Sequence, residues 1–319
     1  MNLRRSVLRK FYLPIGRSHL TPAICWHFRI KPFKVGLAIF RFWHNYSSVN
    51  TTRTNTFTTD RTGTGTKQWS DYSHNICTGC SHGCLYCYAH SLVARFKHGL
   101  RTNDQWRQQR LSDKGRQLGA DVGKKKGLVM FPTAHDITPE FLDESLTTIK
   151  NLLKNNQVLI VSKPHLSVIE TLCRELEPQK ANVMFRFSLG TLNQQQTDFW
   201  EPFAPKPNER LAALQHAYKA GYKTSISAEP MLDDNLGMLE LVKAVDPLVT
   251  DTIWLGKMQR VNGTQNRGIE GFAIRLAFIK EWQRDEYILR LVELLATNPK
   301  VKWKDSIKRV IEKHRQAKK

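Results

Sequence analysis

The chain has 319 residues, of which 40% are apolar, and its 49 Lys plus Arg exceed its 28 Asp plus Glu by a formal net charge of +21. The apolar share is enough to bury a core, which excludes a solvated tail, and the sequence contains no uninterrupted apolar run of about 18 residues that would predict a membrane span. The positive charge favours contact with polyanions such as nucleic acid.

The first sixty residues differ from the rest in charge. Met1 to Thr59 contain ten Lys or Arg and no Asp or Glu, so residues 60–319 carry a net charge of only +11. This composition is typical of an organelle transit peptide, but it also suits an extension outside the folded core or a basic nucleic-acid-binding arm. We therefore predict that residues 1–60 are a disordered basic extension or leader, and these alternatives stay open.

Four of the six cysteines fall within eleven residues, and the other two are Cys25 and Cys173. Disulfide frameworks scatter cysteines along small secreted domains, whereas crowding in a chain of this size indicates a metal site in a reducing compartment. We therefore expect a cytoplasmic protein. The crowded set is Cys77, Cys80, Cys84 and Cys87.

The spacing Cys80-x3-Cys84-x2-Cys87 stands directly before a helix-prone run. Three thiolates on one short loop can hold three irons of a four-iron cluster and leave the fourth iron open to a small molecule. Gly79 and Gly83 would let this loop wrap closely round a ligand. We predict that Cys77 is a loop residue outside the ligand set.

Two other classes of protein could use the same cysteines. Cys77-x2-Cys80 and Cys84-x2-Cys87 could form one four-cysteine zinc site, which would make the chain a zinc-stabilised nucleic-acid-binding module without catalysis. Only three residues separate the two pairs, however, whereas zinc ribbons place about fifteen to twenty there. A ferredoxin-like electron carrier is disfavoured because the chain is far larger than a carrier requires.

After the cysteines, short apolar runs alternate with helical patterns, which predicts βα units and a parallel sheet. With one more strand near Lys67 to Tyr72 there are six units, which give an open, TIM-like partial (β/α)6 barrel instead of a closed one of eight. We predict helices around Phe272 to Trp282 and Glu286 to Ala296. The other predicted strands are residues 128–131, 157–162, 182–189, 223–228 and 252–255.

These elements predict three parts of the chain: the basic extension 1–60, a core domain 61–260 and a C-terminal helical cap 261–319. Ligands of such sheets lie at the carboxyl ends of the strands, so polar residues just after each strand are candidate site residues. Thr133, His135 and Asp136 are candidates of this kind.

The cysteine motif, with Tyr86 before Cys87, resembles the signature Cys-x3-Cys-x-aromatic-Cys of the radical S-adenosylmethionine (SAM) superfamily. Over roughly Gly63 to Met258, the chain is similar to the spore photoproduct lyase-like, or DNA repair photolyase-like, branch. Segments that carry this resemblance include Phe131-Pro-Thr-Ala-His-Asp136, Ser162-Lys-Pro164, Trp200-Glu-Pro-Phe-Ala-Pro205 and Asn208-Glu-Arg-Leu211.

The resemblance implies a lyase-like enzyme that binds a 4Fe-4S cluster through Cys80, Cys84 and Cys87. Such an enzyme cleaves SAM reductively to a 5′-deoxyadenosyl radical, which abstracts hydrogen from substrate; nucleic acid is a candidate substrate. A flavodoxin or ferredoxin would be the reductant, and no membrane partner is implied.

Among the other site residues that the resemblance implies, Lys163 would pair with the SAM carboxylate and Ser188 would meet its ribose or amino-acid end. Glu229 could face the cofactor, and Tyr86 would lie beside it. Spore photoproduct lyases have a further hydrogen-donating cysteine. Cys173 is the one downstream candidate, and its helical pattern places it away from the strand ends, which argues against thymine-dimer repair.

Overall fold

Seven parallel strands form the main sheet, and they lie side by side in the order in which they occur along the chain. Five of these strands are almost entirely buried, as expected for parallel strands covered on both faces. The seven strands are β1 (Tyr72–Ser73), β4 (Leu128–Phe131), β5 (Gln157–Ser162), β6 (Val183–Ser188), β7 (Lys223–Ala228), β8 (Ile253–Leu255) and β9 (Val301–Trp303).

The computed structural model describes residues 57, 63–96, 100–120, 126–259, 266 and 268–318. Of the predicted extension 1–60, only Phe57 lies within these ranges, and its ring is buried against the Trp69 cluster inside the sheet. The predicted disorder of residues 1–60 otherwise falls outside the described residues.

Helices connect the strands, and a small hairpin flanks the cysteines. The hairpin pairs β2 (Cys77–Thr78) antiparallel with β3 (Arg110–Leu111). No helix within the described ranges is both long and apolar enough to cross a bilayer. The helices are α1 (Tyr88–Phe96), α2 (Asn103–Arg107), α3 (Leu142–Leu153), α4 (Leu166–Glu175), α5 (Gln194–Trp200), α6 (Pro207–Lys219), α7 (Asn235–Val245), α8 (Phe272–Trp282), α9 (Asp285–Leu294) and α10 (Asp305–Gln316).

The predicted fold class is confirmed, because βα units build a parallel sheet, and β4, β5 and β7 begin and end at the predicted residues. The further strand predicted near Lys67 to Tyr72 is present, but its predicted start is wrong. Residues Gly65–Gln68 form a 3-10 turn, and the strand is only Tyr72–Ser73. The turn carries Trp69 inside the sheet, where its ring packs edge-on against Trp254 at 5.9 Å. The chain therefore turns before it enters the sheet, instead of running as an extended strand from Lys67.

The sheet also has a seventh strand, β9, in a region where the sequence predicted helices. β1 and β9 are the two edges of the sheet. Side chains and turns bridge them: Asp305 Oδ2 accepts from Gly65 N at 3.0 Å, and Lys304 Nζ donates to Gly65 O at 3.1 Å. The open barrel is thus closed laterally by contacts other than strand pairing.

The main apolar core lies between the sheet and the helices outside it. Cys173 belongs to this core, on the buried face of α4, as its helical pattern predicted. Tyr222 closes the same region by donating its hydroxyl to the Cys173 carbonyl at 2.7 Å. The main core thus lies between the sheet and the helices, and the polar candidate residues lie outside it, at the ends of the strands.

Candidate functional site

The cysteine loop runs from β2 to α1, beside the carboxyl ends of the strands. Cys80 and Cys84 are buried and Cys87 is half-buried. A turn places Cys87 beside Cys84, with Cys87 N donating to Cys84 O at 3.1 Å. Gly79 has a φ of +85°, and a Cβ there would lie 2.5 Å from the Trp106 carbonyl oxygen. The loop therefore needs glycine at this close approach to the neighbouring segment.

The three thiols lie close enough to affect one another's ionisation. Burial raises the pKa of Cys84 to about 12 and also raises the pKa values of Cys80 and Cys87. The neighbouring thiols add to this for Cys80 and Cys84, since each negative charge would disfavour another. Iron would remove this penalty by binding the thiolates directly, so the donor set fits an iron–sulfur cluster.

Asp136 connects the cysteine loop to the strand end after β4. Its Oδ2 lies 2.8 Å from His82 Nδ1, 3.7 Å from Cys80 Sγ and 3.8 Å from Lys163 Nζ. Its Oδ1 accepts from the Lys163 backbone N–H at 2.7 Å and from Ser162 Oγ at 3.0 Å. Burial opposes ionisation, but Lys163 and His82 outweigh it and hold the pKa of Asp136 well below its usual range.

One subset of these groups could hold a single metal ion. The ligand atoms of Cys80, His82 and Asp136 lie within 4.8 Å of one another. His82 was not singled out from the sequence, although it lies inside the cysteine motif. This group leaves Cys84 and Cys87 without a role, whereas a cluster would use both.

Lys163 follows the end of β5, and its side chain extends towards the cysteine loop. Its Nζ lies 5.7 Å from the centroid of the Tyr86 ring, and its side chain is only 13% exposed. Burial would lower the pKa of Lys163, but the negative groups around it, Cys84 first, raise it well above its usual range. A protonated amine therefore faces the cysteine loop. It is suited to an anionic ligand group.

Tyr86 is held from the other side by a buried ion pair. Its hydroxyl donates to Glu201, and Glu201 Oε2 lies 2.5 Å from Arg210 Nη2. Arg210 also donates to the carbonyls of Pro205 and Ser188, at 2.7 and 3.2 Å. The chain of contacts thus joins the cysteine loop to the end of β6.

Neither Glu201 nor Arg210 received a role from the sequence. A signal was present, because Arg210 lies on the buried stripe of α6 with Ala213, Leu214 and Ala217. Arginine is rarely buried unless it is paired, so an arginine on an apolar stripe indicates a buried partner. The partner itself could not be read from spacing.

Ser188 and Glu229 lie farther along the sheet. Ser188 is half-buried at the end of β6. The Glu229 carboxylate lies 3.4 Å from Lys304 Nζ, and burial raises its pKa although Lys304 opposes this. Tyr88 donates its hydroxyl to the Thr133 carbonyl, and burial raises the pKa of Tyr88 to about 12.

Thr133 and His135 bind the segment that leads into the cysteine loop, Thr133 through the Asn75 side chain and His135 through backbone N–H groups. Asn75 accepts from the Thr133 N–H at 2.7 Å and donates to its Oγ1 at 2.7 Å. His135 Nε2 accepts from the N–H groups of Ile76 and Cys77, at 3.1 and 3.2 Å. Burial lowers the pKa of His135 to about 4, so the ring is neutral. These two candidates therefore hold the loop in place instead of facing the thiols.

No protein-family model matches the chain. It is 26% identical over 192 residues to an uncharacterized protein, ORF301, of Acidianus two-tailed virus, which covers 54% of this chain and 60% of the viral protein. The chain thus spans about three fifths of the curated relative that it matches. The name of that relative indicates no activity.

Two of the solved structures that are similar to the chain bind SAM. Streptococcus suis SuiB bound to S-adenosylmethionine matches 73% of this chain and 50% of its own, with 15% identity and a TM-score of 0.46. A spore photoproduct lyase variant with bound AdoMet and dinucleoside spore photoproduct matches 79% of each chain, with 15% identity and a TM-score of 0.49. Similarity at this level assigns no function, which has to come from the residues of the site.

Proposed function

We propose that the chain is a radical SAM enzyme in which Cys80, Cys84 and Cys87 hold a 4Fe-4S cluster. The observation that carries this proposal is one loop that holds the buried Cys80 and Cys84 and the half-buried Cys87, with the largely buried, protonated amine of Lys163 beside it. When bound, the cluster and SAM supply a 5′-deoxyadenosyl radical by reductive cleavage, and this radical abstracts hydrogen from substrate.

The protein's part in this chemistry is to bind, orient and exclude water. Lys163 would bind the SAM carboxylate, because a protonated amine forms a charge-assisted hydrogen bond with it. Asp136 would fix Lys163 through the 2.7 Å bond to its backbone and the 3.8 Å ion pair to its side chain. Tyr86, oriented by Glu201, would lie beside the cofactor.

Two further contacts are proposed on position alone. Ser188 ends β6, where a hydroxyl suits the ribose or amino-acid end of SAM. Glu229 follows the last residue of β7. Its carboxylate would face the cofactor, while its ion pair with Lys304 would hold it in place from the other side. Cys80 and Cys84 are buried, which would limit access of water and oxygen to them.

The substrate, compartment and domain limits are also proposals. The net charge of +21 supports a nucleic acid substrate, whereas the lyase-like reaction is proposed on the resemblance of the cysteine motif alone. Crowded free thiols support a reducing, cytoplasmic setting with a flavodoxin or ferredoxin as the reductant. We propose residues 61–260 as the core, 261–319 as a cap that also contributes β9, and 1–60 as an extension.

Anaerobic reconstitution with iron and sulfide tests the proposal. We expect about four iron and four sulfide per chain, and 5′-deoxyadenosine after addition of dithionite and SAM. The group of Cys80, His82 and Asp136 favours one alternative, a zinc-stabilised nucleic-acid-binding module. A colourless protein with one zinc would establish that alternative. A cluster that yields no 5′-deoxyadenosine would instead indicate an electron carrier.

A matched pair of variants tests the ligand set. Cys84→Ala should abolish cluster assembly, whereas Cys77→Ala should retain it, because Cys77 lies in the β2–β3 hairpin. The measurement is iron and sulfide content after the same reconstitution. The reverse result would refute the assignment. Candidate nucleic acids labelled with deuterium would then identify the substrate by label transfer to 5′-deoxyadenosine.

A further inference from the structure

Residues 101–116, which contain α2 and β3, lie against the outer side of the cysteine loop. The Cys80 N–H donates to the Trp106 carbonyl at 3.0 Å, while the Cys80 thiol points the other way, to Asp136. Asn103 Nδ2 donates to the Gly83 carbonyl at 2.9 Å. This segment therefore packs directly against the loop, and several of its side chains are exposed to solvent.

The segment is basic and largely exposed. It contains five Lys or Arg against two acidic residues, Asp104 and Asp113. Those two carboxylates lie within 4 Å of Arg107 and Arg116, which leaves a net charge of +3 on the segment. The basic residues are Arg101, Arg107, Arg110, Lys114 and Arg116, and all except the half-buried Arg107 are exposed.

An exposed aromatic ring, Phe203, lies beside this segment. Phe203 is 48% exposed, and the Arg107 guanidinium stacks on its ring with Cζ 3.2 Å from the centroid. A Cβ on Gly83 would lie 2.8 Å from Arg107 and 3.2 Å from Phe203, so both side chains touch the loop one residue before Cys84. Arg and aromatic side chains of this kind dominate the centres of protein interfaces.

We propose that this basic surface, residues 101–116 with Phe203, is the docking site for an acidic one-electron carrier protein of the flavodoxin or ferredoxin class. The inference rests on the proposed function and assigns a place to the reductant. One electron passes from the carrier, which is oxidised, to the cluster, which is reduced, and no bond forms or breaks.

The position of the surface favours a carrier over a nucleic acid. A substrate has to reach the volume between the thiols and Lys163, which lies on the inner side of the loop, whereas an electron needs only a short path to the cluster. Complexes between redox partners are small and transient, and opposite charges raise their rate of association. A patch with a net charge of +3 around one exposed ring suits such a complex.

The test measures the affinity for an acidic flavodoxin by fluorescence titration of the reconstituted protein. Arg110→Glu/Lys114→Glu should weaken binding by about tenfold at low salt, and added salt should weaken wild-type binding. The matched control is Lys219→Glu/Lys243→Glu, the same charge change at exposed positions on α6 and α7. This control should bind like wild type.

Reduction kinetics separate docking from loss of the cluster. The rate of cluster reduction by flavodoxin hydroquinone should fall with the affinity, while reduction by dithionite and iron content should stay unchanged. Equal affinities for the surface variant and its control would overturn the docking site. It would also be overturned if the surface variant lost affinity for a single-stranded oligonucleotide and kept it for flavodoxin. If reconstitution gave a protein without iron, the proposed function itself would be refuted, and the docking site would not come to be tested.

Discussion

The buried ion pair between Arg210 and Glu201 gives the sharpest prediction about the site. Their side chains are 1% and 2% exposed, and Arg210→Met removes the cation while keeping most of the volume. Breaking a buried pair from one side costs about 3–5 kcal/mol, because the remaining charge is uncompensated. Lys163 also lowers the pKa of Glu201, so we expect the lower end of this range.

Thermal and urea unfolding measure this loss. For a chain of this size, about 3–5 kcal/mol corresponds to a fall in Tm of roughly 5–8 °C. Glu201→Gln in the same chain removes the buried charge and should restore most of the loss. Arg284→Met, which breaks the exposed pair with Glu281, is the control and should leave Tm unchanged. A double variant no more stable than Arg210→Met would refute the reasoning.

The same prediction has a defined pH dependence. In the wild type the folded pKa of Glu201 is lowered, so its stabilisation is present above the unfolded pKa and is lost as pH falls through the folded value. In Arg210→Met, burial is the largest effect on Glu201 and raises its pKa. Protonation of Glu201 at lower pH then removes the cost of burying its unpaired charge. The difference in Tm between wild type and Arg210→Met should therefore narrow from pH 8 to pH 5.

Three other predictions concern the loop and its ligand. Gly79→Ala should lower Tm more than Gly65→Ala, because both glycines have positive φ but only a Cβ at Gly79 would meet backbone, the Trp106 oxygen at 2.5 Å; equal losses would remove the role of this close approach. The folded pKa of His135, about 4, lies below its unfolded value of 6.5, so the unfolded state binds more protons between them and stability falls as pH drops through that window. Urea unfolding of His135→Gln should show a pH profile flatter by about 2 kcal/mol between pH 6.5 and 5, and an unchanged slope would contradict the buried neutral ring. Lys163→Met should keep its iron but bind SAM at least about tenfold more weakly in equilibrium dialysis, since one charge-assisted hydrogen bond is lost; unchanged affinity would place the carboxylate elsewhere.

The sequence predicted those features that depend on neighbours in the chain. The buried strands β4, β5 and β7 are short apolar runs between turn signals, so their bounds follow from local pattern. The spacing of Cys80, Cys84 and Cys87 predicted that one loop carries three thiols, because so few residues cannot separate them. The strand end after β5 predicted that Lys163 would lie near that loop, since parallel strands end at one edge.

Only the tertiary structure decided which partners the polar groups have. Glu201 meets Tyr86 across 115 positions of sequence, and Lys304 meets Gly65 across 239. His135 had looked like a candidate site residue, yet it accepts hydrogen bonds from loop backbone. Such contacts have no period or spacing, because they are fixed by how the sheet curves and which buried charges must then be neutralised. The sequence determined what the cysteine loop contains, and the fold determined what surrounds it.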